Sequence, residues 1–176
     1  MIFTLIGMVV LGVGIAGMAS LLFRVLGRRA PGGLLALVAG LGMFGFVLWN
    51  DYTWFARTRD VLPGHVQVAR TFSEPSPLQP WSYLLAPVHR FSAVNTATTQ
   101  RNEALPGLVL AEIYLVARYQ PSISHWQLYD CQTPRRADVS NVEDLNPAAQ
   151  ATIDWHPLAA GDALREIVCR NAAPPS

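Results

Sequence analysis

Two long apolar runs lie at the start of the chain and predict two helices. The first, Ile2 to Phe23, has only Thr4 and Ser20 as polar side chains, and the second, Gly33 to Trp49, has no charged, amide or hydroxyl side chain. As helices they would measure roughly 33 and 25 Å, against a hydrocarbon core of ~30 Å. Unpaired backbone groups are costly in lipid, which favours helix throughout. We therefore predict a membrane hairpin with spans at residues 2–23 and 33–50 and a connecting loop at 24–32.

A cleaved signal peptide is the alternative interpretation of the first run. Such a peptide has a positively charged start, a shorter apolar core and a small-residue cleavage site. Here Met1 leads directly into an apolar run of spanning length. The alternative for the second run is a buried helix of a soluble core, which would have to be covered on every side. Both alternatives are weaker than a pair of spans.

Beyond the second run, apolar and polar residues alternate as in strands with one buried side. The clearest strand is Leu108 to Tyr119, and Ile123 to Cys131 predicts its partner in a β-hairpin. One face of the first of these strands is almost entirely apolar: Val109, Ala111, Ile113, Leu115, Ala117 and Tyr119. An earlier strand is predicted with Val66, Val68 and Phe72 on one face. The segment from Trp81 to Leu85, after three prolines, also favours a strand over a helix.

Near the end of the chain the pattern changes to that of a short helix. Asp162 is suited to cap a helix from Ala163 to Arg170, and Leu164, Ile167 and Val168 have the spacing of a buried stripe. The predicted fold is a membrane α-helical hairpin plus a small β-rich α+β periplasmic domain with one disulfide. Its segments are a juxtamembrane stalk at 51–64, the domain at 65–170 and a disordered tail at 171–176.

Charge is unevenly distributed and predicts the orientation of the hairpin. The first 50 residues contain no acid, and their basic residues, Arg24, Arg28 and Arg29, all lie in or beside the connecting loop. Such loops face the cytoplasm, so both chain ends are expected on the periplasmic side of a bacterial inner membrane. From residue 51 onward the chain has 10 arginines and 12 acids, a balance of 10 − 12 = −2. This near-neutral charge gives no support for nucleic-acid binding.

Aromatic residues at the far end of the second run predict a membrane interface. Trp49, Tyr52, Trp54 and Phe55 lie where the chain would leave the bilayer. Tryptophan and tyrosine favour the lipid headgroup region, so this cluster agrees with the predicted orientation. Arg57 and Arg59 follow the cluster and are a modest signal for the opposite orientation.

Small residues recur at every fourth position in both predicted spans. Gly12, Ala16 and Ser20 form one row, and Gly32, Ala36 and Gly40 form another. Such rows let helix backbones approach closely. Either the two spans pack on each other, which is the more frequent use, or a row contacts another inner-membrane protein. Membrane lipid is the other expected partner.

Two cysteines, Cys131 and Cys169, both lie in the segment placed outside the cytoplasm. Disulfides persist in that compartment, which favours one structural bridge between them. A redox pair would more often be C-x-x-C. A metal site would need nearby histidines, but the four histidines are scattered without ligand spacing. We therefore predict a disulfide, with no metal and no cofactor.

Catalytic motifs are absent from the sequence. A G-x-G-x-x-G at Gly12–Gly17 lies inside the first span, where no strand can precede it, so helix packing explains it better than a dinucleotide site. Three groups could bind a ligand: Glu112 with Arg118, Asp130 with Arg135 and Arg136, and the tryptophans. Trp81, Trp126 and Trp155 could form a carbohydrate platform, although packing is the commoner use of such residues.

Three short motifs lie in the outer domain: Tyr129-Asp-Cys131 at a predicted strand end, the basic step Arg135-Arg-Ala, and Ile167-Val-Cys-Arg170 near the C-terminus. In these motifs the domain resembles a group of exported proteobacterial domains similar to surface adhesin E. The resemblance covers about residues 81 to 170. The chain is similar as well to uncharacterised inner-membrane proteins of GC-rich proteobacteria. The resemblance implies a small disulfide-linked β-rich domain and no activity, and two spans replace the cleaved signal peptide of the group.

The sequence thus favours a non-catalytic accessory or interaction subunit of a bacterial envelope complex. A short anchor with small-residue helix faces, a compact cross-linked domain and the lack of a catalytic set all point this way. The alternative is a periplasmic binding module for a small ligand or glycan, using the tryptophans or the Arg135–Arg136 step. A third possibility is an enzyme without a recognisable motif.

Overall fold

The computed structural model describes residues 2–77, 79–102, 105–139 and 153–172. The chain forms two compact units, Met1–Arg57 and Thr58–Ser176. The first contains nearly all of two long helices. The second contains an antiparallel sheet, a short helix and one disulfide.

The two predicted helices are present, and both are longer than the apolar runs that predicted them. Helix α1 is Ile2–Val25 and helix α2 is Gly32–Asp60. Each is long and apolar enough to cross a membrane. The predicted stalk at 51–64 is helical as far as Asp60, because no glycine or proline interrupts the chain before Pro63.

Glycines allow α1 and α2 to pack closely. A Cβ atom built on Gly12 would overlap the Met43 side chain, and one built on Gly42 would overlap Ile15. The row that contains Gly12 therefore serves the contact between the two helices, as the simpler interpretation predicted. Gly40 differs, since no described atom comes within 4 Å of a Cβ built there.

The second unit is built on a curled sheet in which every strand pairs antiparallel with the next. Among the described residues there are six strands, in the spatial order of the sequence. They are β1 Val66–Ser73, β2 Val88–Asn102, β3 Leu105–Ala117, β4 Ile123–Asp130, β5 Arg135–Val139 and β6 His156–Pro157. Neighbouring strands along the chain are therefore neighbours in space, as is usual for consecutive elements.

The predicted hairpin is confirmed as β3 and β4. Its register pairs Val109 with Tyr129 and Leu115 with Ile123. Strand β3 ends two positions earlier than predicted, because Tyr119 adopts a φ of 64° in the turn that follows. That left-handed conformation is incompatible with a continuing strand.

Strand β2 was not predicted, and the strand expected at Trp81–Leu85 was wrong. The latter segment contains a 3₁₀ turn at Pro80–Tyr83, held by the Ser82 hydroxyl, which donates to the Gln79 carbonyl at 2.6 Å. The central part of β2 is buried on both faces, from Phe91 to Asn95. A strand buried on both sides has no alternating pattern to reveal it.

Helix α3, Ala163–Asn171, packs on one face of the sheet, called the α3 face below. Asp162 caps it as predicted, accepting from the backbone N–H groups of Leu164 and Arg165 at 3.1 Å each. Val168 is fully buried against the α3 face, which carries Val94, Val109, Ala111, Ile113 and Tyr129. The opposite face carries a second cluster of Leu108, Leu110, Leu128 and Ala137.

The predicted disulfide between Cys131 and Cys169 is present, with a Cα–Cα distance of 5.8 Å. It joins the end of β4 to α3. The Arg165 guanidinium donates to the carbonyls of Asp130 at 2.9 Å and Cys131 at 2.8 Å. A covalent bond and two charge-assisted hydrogen bonds thus fix the helix to the same strand end.

Candidate functional site

A cleft of about 420 Å³ opens on the α3 face of the sheet. This volume lies within the ~300–1,000 Å³ typical of small-molecule sites. Strands from β1 to β6 and the start of α3 contribute side chains to it. The polar members of the lining are Arg70, Ser92, His125, Gln127, Arg136, Asp138, His156 and Asp162, and the apolar members are Phe72, Ile113, Leu115, Pro157, Leu158 and Leu164.

Arg70 and Ser92 lie side by side at one end of the cleft. They are directly paired residues of β1 and β2, and a bulge between Val68 and Arg70 sets the phase that brings Arg70 to the α3 face. Paired residues have Cβ atoms about 5 Å apart. The Arg70 guanidinium is exposed and lies 5.7 Å from the centre of the Phe72 ring.

Ser92 is a buried polar residue, with only 2% of its surface exposed. Within the described part of the chain its Oγ has no hydrogen-bond partner. Buried polar groups in native proteins are mostly paired, and leaving one unpaired costs about 1–3 kcal/mol. Ser92 is therefore a lining residue with an unused hydrogen-bonding group.

A polar network forms the floor of the cleft on β4 and β5. The buried Tyr129 hydroxyl donates to Gln127 Oε1 at 2.5 Å, and Gln127 Nε2 donates to Asp138 Oδ1 at 2.7 Å. Burial raises the pKa of Tyr129 well above its usual value, although the adjacent Arg136 guanidinium opposes this shift. Tyr129 is therefore a neutral hydrogen-bond donor at physiological pH. The hydrogen bonds of the network run in one direction, from Tyr129 through Gln127 to Asp138.

The charges of the cleft differ in how they are engaged. Asp138 accepts from Gln127, and Asp162 accepts from the first turn of α3. Among the described residues, neither Arg70 nor Arg136 forms an ion pair. Each carboxylate thus has one oxygen engaged by the protein itself, whereas the guanidinium groups retain donors for a ligand.

The residues that the sequence singled out for ligand binding are separated by the fold. Arg136 lines the cleft, but Arg135 lies on the opposite face, with Asp130 at 2.8 Å and the Trp155 ring centre at 4.4 Å. Successive strand residues point to opposite faces, so the two arginines cannot act on one ligand. Trp126 and Trp155 pack on the second core cluster, outside the cleft.

Glu112 and Arg118 also serve separate contacts. Glu112 accepts from Asn95 Nδ2 at 2.9 Å and from the Tyr114 hydroxyl at 3.2 Å. Arg118 lies beyond the end of β3, with its guanidinium 4.6 Å from the Tyr119 ring centre. In the described part of the chain, no three His, Cys, Asp or Glu side chains are close enough to hold a metal ion.

Sequence reasoning missed most of the cleft. Gln127 and His125 lie on the same face of β4 as the buried Tyr129. Polar residues at positions that should face a core are a sequence signal for a polar site, and these two gave that signal. Arg70 and Ser92 gave no such signal, because the bulge in β1 and the burial of β2 on both faces hide their phase. Their juxtaposition appears only when the two strands are paired.

The predicted membrane-interface residues all lie on α2, in its polar half. The Phe46 and Trp49 rings are 5.9 Å apart, and the Arg57 guanidinium lies 4.8 Å from the Trp49 ring centre. Arg57 also donates to Asn50 Oδ1 at 2.7 Å. Arg57, one of the two arginines that counted against the predicted orientation, is thus held along the helix by contacts with Trp49 and Asn50.

Comparison with known proteins gives no relative for this chain. No family model, no curated protein and no solved structure matches it at a significant level. The resemblance of the outer domain to exported proteobacterial domains similar to surface adhesin E stays a prediction.

Proposed function

We propose that this chain is a non-catalytic, membrane-anchored accessory or interaction subunit of a bacterial envelope complex. In this proposal α1 and α2 span the inner membrane, and the sheet domain lies on the periplasmic side. The observation that carries the proposal is the uncovered apolar surface of the two helices. Only 6% of the most apolar window of α1 and 0% of that of α2 is buried.

Such a surface requires lipid or other helices to cover it. Exposed side chains include Val10, Met18, Leu37 and Leu41, which are 57 to 73% exposed. Apolar surface of this extent is costly in water, at about 25 cal/mol per Å². The pairing of α1 with α2 leaves it open, so a bilayer is the environment that suits these helices.

The second small-residue row supports a contact with another membrane protein. Gly32, Ala36 and Gly40 are all exposed, on a part of α2 that the pairing with α1 does not use. In membranes such rows allow a second backbone to approach closely. The row on α2 therefore suits a partner helix.

The disulfide and the loop arginines support the proposed topology. Disulfides persist in the periplasm and are rare in the cytoplasm. Cys131 and Cys169 are joined, and Arg24, Arg28 and Arg29 lie at the other end of the spans. A cytoplasmic loop and a periplasmic domain satisfy both features at once.

The test is a mild-detergent pull-down of the full-length protein from its own membranes. Wild type should retain a stoichiometric membrane partner. Gly40→Leu fills the open row and should lose that partner. Gly45→Leu is the matched control, because a Cβ at Gly45 also meets open space but on a different side of α2. Recovery of wild type alone, under several gentle detergents, would contradict the proposal.

A second candidate function is ligand binding by the outer domain. The cleft on the α3 face favours it, since its two guanidinium groups form no ion pair among the described residues. The two functions are compatible, because an accessory subunit can respond to a ligand in its exported domain.

A further inference from the structure

We propose that the cleft on the α3 face binds a small organic anion with an apolar body, through the Arg70 guanidinium. This inference rests on the ligand-binding function proposed above and does not depend on a membrane partner. The shared chemistry is one carboxylate or phosphate group on a compact hydrocarbon. Arg70, Ser92 and the apolar wall beside them form the proposed site.

The expected charge of the ligand follows from the hydrogen bonds that the carboxylates of the cleft already accept. Asp138 and Asp162 already accept hydrogen bonds from Gln127 and from the N-terminus of α3. Among the described residues, no hydrogen bond or ion pair engages the five donors of Arg70, and its guanidinium lies near the Phe72 ring. An anion therefore gains charge-assisted hydrogen bonds from a guanidinium that no described carboxylate pairs with, whereas a cation would meet carboxylates that each already accept through one oxygen.

Ser92 supplies a second donor beside Arg70. Its Oγ is buried and has no hydrogen-bond partner among the described residues. Rotation about χ1 moves this oxygen between staggered positions without moving the backbone. Because Arg70 and Ser92 are directly paired, one small anionic group can meet both. Binding would then satisfy a group that the free protein leaves unpaired.

The body of the ligand follows from the apolar part of the lining. Leu115 is paired with Ser92 across β2 and β3 and is 43% exposed, although it shares the phase of the buried Ile113. Phe72, Leu158 and Leu164 complete the apolar wall. A ligand with a hydrocarbon body would cover Leu115, whereas inorganic phosphate or acetate alone would not. A compact molecule fits the volume better than a two-chain lipid.

Hexanoate and hexyl phosphate are suitable probes, tested by thermal shift and calorimetry on the full-length protein in a non-ionic detergent. Both should stabilise the wild type in a concentration-dependent way. Hexanol and hexylammonium have a hydrocarbon chain of the same or nearly the same length and correct for entry into the micelle. Acetate and inorganic phosphate have the head group alone. We expect only the two hexyl anions to bind strongly, and their relative affinity separates a carboxylate ligand from a phosphate ligand.

Three variants test whether the probes bind at the proposed residues. Arg70→Gln should raise Kd about tenfold, because it removes hydrogen bonds to a charged group. Ser92→Ala should raise Kd severalfold while leaving the free protein at least as stable as wild type, since the lost hydroxyl has no described partner there. Arg170→Gln removes an exposed arginine of α3 that does not line the cleft and should leave Kd unchanged.

Equal binding of hexanol and hexanoate would overturn the inference, as would equal Kd values for Arg70→Gln and Arg170→Gln. Absence of any probe binding would also overturn it. If the membrane partner is still captured in that case, the accessory function stands and only the ligand assignment fails. Conversely, Arg70-dependent binding by a protein without a partner would support the inference and contradict the accessory function.

Discussion

At the scale of single residues, Asp130 shows how one carboxylate organises the turn after β4. It is 5% exposed and accepts hydrogen bonds from the backbone N–H groups of Gln132 and Thr133 at 2.8 and 3.0 Å. The Thr133 hydroxyl and the Arg135 guanidinium donate to its other oxygen. Burial alone would raise the pKa of Asp130, but these donors outweigh it and hold the pKa at about 2.

This lowered pKa predicts an acid-sensitive contribution to stability. The unfolded chain binds the proton with a pKa of about 3.9, so the contribution is fully present above that value and is lost as pH falls towards 2. Its size at neutral pH is about 2 kcal/mol. Asp130→Asn should lower the free energy of unfolding by about this amount at pH 7 and by much less near pH 2, as measured by urea denaturation.

The matched control for Asp130 is Asp154→Asn, because the Asp154 side chain is 91% exposed. Its 3.9 Å contact with His156 is solvent-exposed and contributes little, so this variant should unfold at nearly the same urea concentration as wild type at every pH. A constant loss for Asp130→Asn between pH 7 and pH 2 would show that the amide disturbs packing instead of removing a charge.

At the scale of elements, α3 depends on contacts at both of its ends. Asp162 satisfies two backbone donors at the start, and the disulfide and Arg165 hold the helix to the end of β4. A helix of nine residues is too short to be stable alone in water. Its capping residue and the burial of Val168 therefore decide whether it forms.

Removal of the α3 cap should destabilise the sheet domain by about 1 kcal/mol. Asp162→Ala leaves the N–H groups of Leu164 and Arg165 without their side-chain acceptor, and urea denaturation should show a lower midpoint. Asp162→Asn is the control, because asparagine caps helices about as well as aspartate. An equal loss in both variants would mean that the charge of Asp162, and not the cap, stabilises the domain.

At the scale of the whole molecule, the disulfide connects parts of the sheet domain that are distant in sequence. Cys131 and Cys169 are 38 residues apart. By the loop-entropy model, a closed loop of this length stabilises a fold by about 4 kcal/mol. That amount is a large share of the ~5–15 kcal/mol net stability of a typical domain.

Replacement of both cysteines by serine should therefore lower the unfolding free energy by about 4 kcal/mol. Reductant should destabilise wild type to a similar extent and should leave the double variant unchanged. Intact mass before and after reduction with alkylation should show both thiols blocked in the native protein. A wild type that unfolds at the same urea concentration with and without reductant would contradict a stabilising role for the bridge.

The sequence by itself determined the features that depend on residues close together in the chain. The two long helices follow from uninterrupted apolar runs, and the hairpin of β3 and β4 follows from a period of two. The cap of α3 at Asp162 is likewise a local signal. The disulfide was predicted because the chain has only two cysteines, both beyond the spans, so their pairing required no knowledge of the fold.

The tertiary structure alone decided where β2 lies and what lines the cleft. Phe91 to Asn95 are buried on both sides by neighbours distant in sequence, which removes the alternation that marks a strand. The bulge in β1 changes the phase of Arg70, and strand alternation separates Arg135 from Arg136. Arg70 and Ser92 meet because two strands pair in one register, and no local pattern encodes that register. Burial and pairing are properties of the assembled sheet, so a site built across six strands becomes visible only there.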